Sequence, residues 1–493
     1  MGIVGLAGVT SGNRFVVHHS RAARSDHPCA FECDRLVALA DAMPALAHRR
    51  RFAFASWYRD LYALTTDAQI ETLAGERALD ACVLELRRLW MATAHEYADA
   101  TYRSPIAGTP SDLPASPALA YSYERSIERN AIEERLAAYR PVPPGWRAEH
   151  FLYSSGMAAI TGCFTALPGV LGAAPGERIP LVAAGAYFET LAALEVAHGI
   201  APSIVADERG LVEHLARHRP RAVFVEPIVY DVDLMPVDMF AVVDAIAAQP
   251  DPPALILDST LVGPALPMAR LLTHLRFSGV PAVIQISSGL KLDQAGLELA
   301  NAGMLSIYVP ERDDGSDALD AIATHVRTVR RLAGTALSLD AIALLDVPFF
   351  LDPASFYEYT AAVFDHNAAL ARALSAGGIF ERIVHPVLHG GDMPWAVAPF
   401  VMCHVADDDP ATARAIEAIV DAEARRRGLA FERGGSFGFR SHRFEAIELA
   451  GGRRRTLFKI ALGARRGPSL AGITELLSEV AAARDVDALR ARF

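Results

Sequence analysis

Residues 287–301 read SSGLKLDQAGLELAN and contain Lys291, one of two lysines among 493 residues. The other is Lys459; lysine and arginine together number 47, so 45 of these cations (47 − 2) are arginine. Guanidinium keeps its proton, whereas a desolvated ε-amine can lose one and attack a carbonyl. A chain that writes almost every cation as arginine is expected to keep lysine where that reactivity is needed. Lys291 has a suitable setting: an apolar run at 282–286 that reads as a buried strand, a Ser-Ser-Gly turn, and Leu290 and Leu292 on either side. The competing reading, an ordinary loop lysine, is weighed against the rest of the chain.

Outward from this stretch, short apolar runs alternate with helical segments from about 149 to 309. Strand candidates are 150–153, 179–183, 203–206, 222–225, 254–257, 282–286 and 304–309. Nearly unbroken apolar runs suit strands covered on both faces. The expected fold class is therefore α/β, a three-layer α/β/α arrangement around a mostly parallel seven-stranded sheet, with ligands outside the carboxyl ends of the strands. Three regions are expected: 1–117, a helical extension with a linker arm; 118–340, the large domain; and 341–493, a small α/β domain. In the first, a helix from 67 past 90 carries Leu79, Cys82, Val83, Leu86, Leu89 and Trp90 on one face. The arm is the proline-bearing segment 101–117. The segment 120–139 then reads as a polar entry and an amphipathic helix with Ile127, Ala131, Ile132 and Leu136 on its apolar side. Beyond 312, helices are expected at 318–345, 353–376, 411–427 and 469–483, and strands at 400–404 and 456–462.

A hydrophobic fraction of 52% with 21% charged residues describes a folded globular chain. The net charge of −11 argues against nucleic acid or an anionic membrane as partner. Five scattered cysteines do not form a disulfide framework, and a cytoplasmic setting is expected. His27, Cys29 and Cys33 lie close together, but no second ligand pair follows at a zinc spacing, so no metal is expected. The opening residues MGIVGLAGVTSGNRF lack a basic start and a long apolar run, so they do not read as a signal peptide. The uncharged stretch 151–176 is interrupted by Pro168 and Gly169 and reads as a buried helix and a loop, not a membrane span.

Four features at the expected strand ends point to one cofactor. Tyr153-Ser154-Ser155-Gly156-Met157-Ala158-Ala159 is a strand end, a small-residue turn and a helix start, whose free N–H groups suit a phosphate. Asp258 ends the run 254–257; a carboxylate there is costly unless it meets a cation such as a protonated pyridine nitrogen, or merely caps a turn through Ser259 and Thr260. Tyr187 follows the run 179–183 and offers a ring for stacking. Lys291 can condense with an aldehyde. Together they describe a pyridoxal 5′-phosphate site.

These residues resemble the fold type I pyridoxal-phosphate enzymes of cysteine and methionine metabolism, such as cystathionine γ-synthase, cystathionine γ-lyase and methionine γ-lyase. The resemblance is carried by Ser155-Gly156-Met157-Ala158-Ala159 as the phosphate turn and by Tyr123-Glu124-Arg125, the element that would reach a neighbouring subunit's phosphate. It continues in Tyr187-Phe188-Glu189-Thr190, Asp258-Ser259-Thr260 and Ser288-Gly289-Leu290-Lys291. It implies Lys291, Tyr187 and Asp258 as catalytic residues. Ser155, Gly156, Met157, Thr260, Ser288, Tyr123, Arg125 and Tyr230 would join them in holding the cofactor. It further implies a homodimer or homotetramer with shared active sites, and γ-replacement or γ-elimination on an amino acid such as an O-acylhomoserine, cystathionine or S-adenosylmethionine. β-Elimination, other α-carbanion chemistry (aldol cleavage, racemisation) and non-catalytic binding of the cofactor remain open alternatives. The chain departs from the family at Tyr230, which stands for an asparagine four residues after Glu226, at Leu290, which replaces a hydroxyl, and at Phe188 and Glu189, which replace small residues near the substrate side chain. Lys459 stands where the family's arginine binds the substrate carboxylate, and Arg440 in the segment 435–443 competes for that role.

Overall fold

The computed structural model describes residues 28–43, 50–67, 69–102, 131–311, 318–450 and 454–493. Tyr123 and Arg125, the arm after Tyr102, His27 and the opening residues lie outside the described residues. Helices α1 (Pro28–Asp41), α2 (Arg51–Thr65), α3 (Leu73–Tyr102) and α4 (Ala131–Tyr139) precede the first sheet. The expected helix at 67 begins six residues later than predicted and continues to Tyr102.

The first sheet holds β1 (Trp146–Tyr153), β2 (Ile179–Ala184), β3 (Ile200–Val205), β4 (Ala222–Val225), β5 (Ala254–Asp258), β6 (Val283–Ser288) and β7 (Gly303–Pro310). Its order is β1-β7-β6-β5-β4-β2-β3. β7 runs antiparallel to both neighbours and every other pairing is parallel. β1 therefore points the same way as β6, and the carboxyl ends of β1, β2, β4, β5 and β6 share one edge.

The unbroken apolar runs are explained by two covered faces. Leu181, Ala183, Phe224, Ile256, Ile284 and Ile307 pack under α5 (Gly156–Val170) and, further along the chain, α10 (Ala318–Ala333). Their sequence neighbours Val182, Ala184, Val223, Val225, Leu255, Leu257 and Val283 face the other way. There they meet α7 (Glu208–Arg217), α8 (Met239–Ala247) and α9 (Met268–Leu275), while α6 (Phe188–Val196) follows β2. A strand with this period-two split and both faces buried has no polar positions left to alternate. The observed architecture is the expected three-layer α/β/α with a mostly parallel sheet.

Beyond β7, the expected helix at 318–345 is two helices, α10 and α11 (Leu339–Leu345). Gly334, at φ +65, takes the left-handed conformation that ends the first. α12 (Pro353–Ala373) starts at an Asp-Pro pair, where Asp352 accepts the Ser355 N–H and Pro353 has no N–H to leave unpaired. The small sheet has five strands, β8 (Phe380–Val384), β9 (Val401–Val405), β10 (Phe431–Arg433), β11 (His442–Ala450) and β12 (Arg454–Ala461), in the order β10-β11-β12-β9-β8. Helices α13 (Pro410–Arg427), α14 (Pro468–Ala481) and α15 (Val486–Arg492) cover it. Sequence reading anticipated β9 and β12 and missed the other three.

The amino-terminal helices do not form a separate core. Cys29, Leu36, Leu61, Leu79, Leu86 and Trp90 share one cluster with Ala295, Leu297 and Leu299, just after Lys291, and with Ile342 to Leu351. The stripe expected on α3 is thus buried against the segment that follows Lys291. Cys29 and Cys33 are buried in it, and no group of metal-ligating side chains occurs among the described residues. No helix among them is long and apolar enough to cross a membrane.

Candidate active site

The shared edge of the sheet opens into a cavity of about 650 Å³. Ser155, Gly156, Met157, Tyr187, Glu189, Tyr230, Asp258, Thr260, Ser288, Lys291 and Lys459 all line it. Chain direction explains the convergence: each of these residues follows or ends a strand running toward the edge, except Lys459, which comes from β12 of the small sheet.

Between β1 and α5, the Ser155 hydroxyl oxygen caps the helix by accepting the Ala158 N–H at 3.0 Å. The N–H groups of Gly156 and Met157 precede the first intrahelical bond and face the cavity with the helix dipole behind them. The turn lies tight on its neighbours. A side chain at Gly156 would bring Cβ to 2.9 Å from Cβ of Ser288, and one at Gly303 would reach 2.0 Å from the Ser155 carbonyl oxygen. Gly303 is opposite both Tyr153 and Ser288 in the ladder, so the missing side chain is what lets the turn cross the sheet edge. Gly156→Ala is accordingly expected to weaken anion binding at this turn about tenfold while leaving secondary structure intact, measured by titration with inorganic phosphate and by circular dichroism.

Asp258 is buried at the end of β5. Its carboxylate accepts the Thr260 N–H at 2.9 Å, and the Thr260 hydroxyl oxygen in turn accepts the Ser288 N–H at 3.0 Å. The turn-capping contact is therefore present, yet Asp258 forms no ion pair among the described residues. Glu226, at the end of β4, is also buried and accepts the Tyr187 N–H at 2.9 Å. Burial raises both carboxyl groups, and the charge of Asp258 raises Glu226 further. The Thr260 hydrogen bond and the Arg140 charge oppose the rise at Asp258 in part.

Lys291 is largely buried. Its ammonium donates to the Ser436 hydroxyl and lies 5.3 Å from the Phe437 ring centre and 5.5 Å from that of Phe439. Burial lowers its pKa, and the positive charges of Lys459 and Arg443 lower it further. Gly438 makes the approach of this loop possible, since a Cβ there would sit 2.6 Å from the Lys291 carbonyl oxygen. Tyr187 packs edge-on against Tyr230, ring centres 5.2 Å apart. Its phenol is pushed up to about 12 by burial and by the negative charge of Glu189.

The two candidates for a carboxylate ligand part company. Lys459 faces the cavity and pairs with Glu445 at 2.9 Å, directly across the β11–β12 ladder. Arg440 faces away from it, with its guanidinium bound to Glu32 of α1 at 3.0 Å and to Asp80 of α3. Sequence reasoning did not single out Ser436, Phe437 or Glu445. They become visible only once β11 and the loop before it are placed against β12.

No protein-family model matches the chain, and no curated protein matches it. Among solved structures the chain is similar to apo CalE6, a methionine gamma lyase from Micromonospora echinospora, with 19% identity over 78% of this chain and 91% of that one and a TM-score of 0.52. It is also similar to a structure of SPT with PLP as internal aldimine (14% identity, 81% and 83% of the two chains, TM-score 0.49) and to the aspartate aminotransferase from Rhizobium meliloti (12%, 80% and 88%, TM-score 0.45). The likeness to CalE6 bears on the fold, which is the three-layer large domain with its smaller sheet.

Proposed function

We propose that this chain is a pyridoxal 5′-phosphate enzyme acting on an amino acid, of the γ-replacement or γ-elimination type. The observation that carries the reading is the meeting of Lys291, Asp258 and the Gly156 helix start in one cavity. The residues fit the cofactor on structural grounds. Asp258 is a buried carboxylate with no ion-pair partner among the described residues, the helix start offers free N–H groups, and the rings of Tyr187 and Tyr230 line the wall between them. Ser155, Gly156, Met157, Thr260 and Ser288 would hold the phosphate, Asp258 the ring nitrogen, Tyr187 a ring face, Tyr230 the phenolic edge and Lys291 the aldehyde carbon.

When bound, the cofactor supplies an electron sink for negative charge developing at the substrate's α carbon. The chain's own groups supply the rest. Lys291, with its lowered pKa, takes and returns a proton as its amine, steadied by the Ser436 hydroxyl. Asp258, which accepts the Thr260 N–H, is the carboxylate that would meet the ring nitrogen. Tyr187, beside Glu189, is placed to pass a proton to a leaving group. Lys459 is the cation available for the substrate carboxylate. A homo-oligomer in which Tyr123 and Arg125 serve a neighbour's site belongs to the same proposal.

The test mixes purified protein with the cofactor, fixes any imine with borohydride and locates the label by mass spectrometry. O-acylhomoserines, cystathionine, methionine and S-adenosylmethionine are then offered in deuterated water. Label on Lys291 and exchange of β-hydrogens support the proposal; α-exchange alone moves it to simpler carbanion chemistry; a colourless, unlabelled protein sinks it. Asp258→Asn keeps the Thr260 contact but removes the charge, and turnover is expected to fall about 10²-fold, measured by steady-state kinetics at saturating cofactor.

A further inference from the structure

The acids lining the cavity outnumber its bases. Glu189, Glu226, Asp258, Glu445 and Glu448 face two ammonium groups, Lys291 and Lys459, and among the described residues no arginine or histidine lines the cavity. Most of this charge is accounted for. Asp258 and Glu226 are buried at the strand ends, Glu226 accepting the Tyr187 N–H, and Glu445 is paired with Lys459. Glu448 is exposed at the rim. Glu189 is different: it lines the cavity next to Tyr187 in the chain, forms no ion pair among the described residues, and its charge acts on both Tyr187 and Lys291.

A second, independent feature points the same way. Three aromatic rings, Tyr187, Phe188 and Tyr230, line the same cavity as Glu189. Tyr187 and Phe188 lie 4.5 Å apart, Tyr187 and Tyr230 5.2 Å apart, and Phe188 is 54% exposed although it is a large apolar side chain. Ring faces attract weakly hydrated organic cations, and a carboxylate among them adds a charge that a neutral or anionic guest cannot use. Such a wall repels the carboxylate or phosphate of an acidic side chain.

From this combination we propose that the site selects amino acids whose side chain carries a positive charge, a sulfonium, guanidinium or alkylammonium group, with Glu189 as the specificity-determining residue. This rests on the cofactor reading above. The substrate's carboxylate would turn to Lys459, and its cationic group to Glu189 and the three rings.

The test uses near-isosteric pairs that differ in charge, S-methyl-L-methionine against L-methionine and L-arginine against L-citrulline. The cofactor-loaded protein is titrated with each, and cofactor absorbance reports binding without turnover. The cation is expected to bind at least about tenfold more tightly in each pair, the scale of one charge-assisted contact. Glu189→Gln, at an exposed position that leaves the fold intact, is expected to abolish that ratio by weakening the cation alone. Equal binding within both pairs, or a Glu189→Gln variant that weakens both members alike and so reveals only a proton partner for Tyr187, overturns the inference while the cofactor reading stands. A protein that takes up no cofactor removes both.

Discussion

Replacing Lys291 with alanine is expected to lower turnover by about 10⁴-fold, the upper range for losing a positioned acid–base group, and to abolish borohydride labelling of the chain. Alanine removes the amine and leaves its surroundings standing: Ser436, Phe437 and Phe439 belong to a loop held by Tyr359, whose hydroxyl donates to the Gly438 carbonyl at 2.9 Å. The variant should therefore fold and still bind phosphate at the Gly156 turn. Lys291→Arg is expected to be equally inactive, because guanidinium stays protonated where burial and the neighbouring positive charges favour a neutral amine. Added methylamine should restore a small part of the lost rate in Lys291→Ala, rising with pH as the free base accumulates, and none in Lys291→Arg, where the cavity remains filled. Steady-state rates with and without amine check this. An alanine variant with near-normal turnover would mean that Lys291 is an ordinary buried lysine and that the cavity works otherwise.

The large domain was legible because its physics is local. Residues 222–225 and 254–257 are apolar throughout since both faces of β4 and β5 are buried, and no other short element requires that pattern. The site followed from the same regularity, because residues that end parallel strands must gather at one edge. β11 was illegible for the opposite reason. Its run HRFEAIELA puts Glu445, Ile447 and Leu449 toward the cavity and Phe444 toward the small core, so neither side is uniformly apolar or polar. β8 and β10 are the edge strands of their sheet, and Phe380-Glu381-Arg382 and Phe431-Glu432-Arg433 carry the charges edges carry. Helical periodicity likewise identified the buried stripe of α3 but not its partners, which lie more than 200 residues away at 295–299 and 342–351. A charge's partner is even less visible: nothing near Arg440 in the sequence announces Glu32 or Asp80.

That pairing sets the second large expectation. Arg440→Ala should destabilise the protein by about 3–5 kcal/mol, the range for breaking a buried ion pair from one side. The guanidinium is almost enclosed, as is Glu32, while Asp80 is shared with Arg465, so removing Arg440 takes from the buried Glu32 its ion-pair partner among the described residues. A side chain at Gly463 would bring Cβ to 2.3 Å from the carbonyl oxygens of Phe439 and Arg440, so the backbone that carries Arg440 is closely packed there. Arg440→Lys should recover part of the loss, because the charge returns without the forked geometry that reaches two acids at once. Scanning calorimetry of the cofactor-loaded protein measures the effect, and amino-acid kinetics below the unfolding temperature separate it from catalysis. Arg440→Ala should leave the Michaelis constant for the amino acid within about twofold, whereas Lys459→Gln should raise it at least about tenfold, as expected when a charge-assisted carboxylate contact is lost. The reverse pattern, a stable Arg440→Ala variant that binds its amino acid poorly, would return the carboxylate to Arg440 and require the loop at 435–443 to swing toward the cavity in the working enzyme. The stability result and the kinetic result thus test the same assignment from opposite sides, one through the extension helices and the other through the substrate.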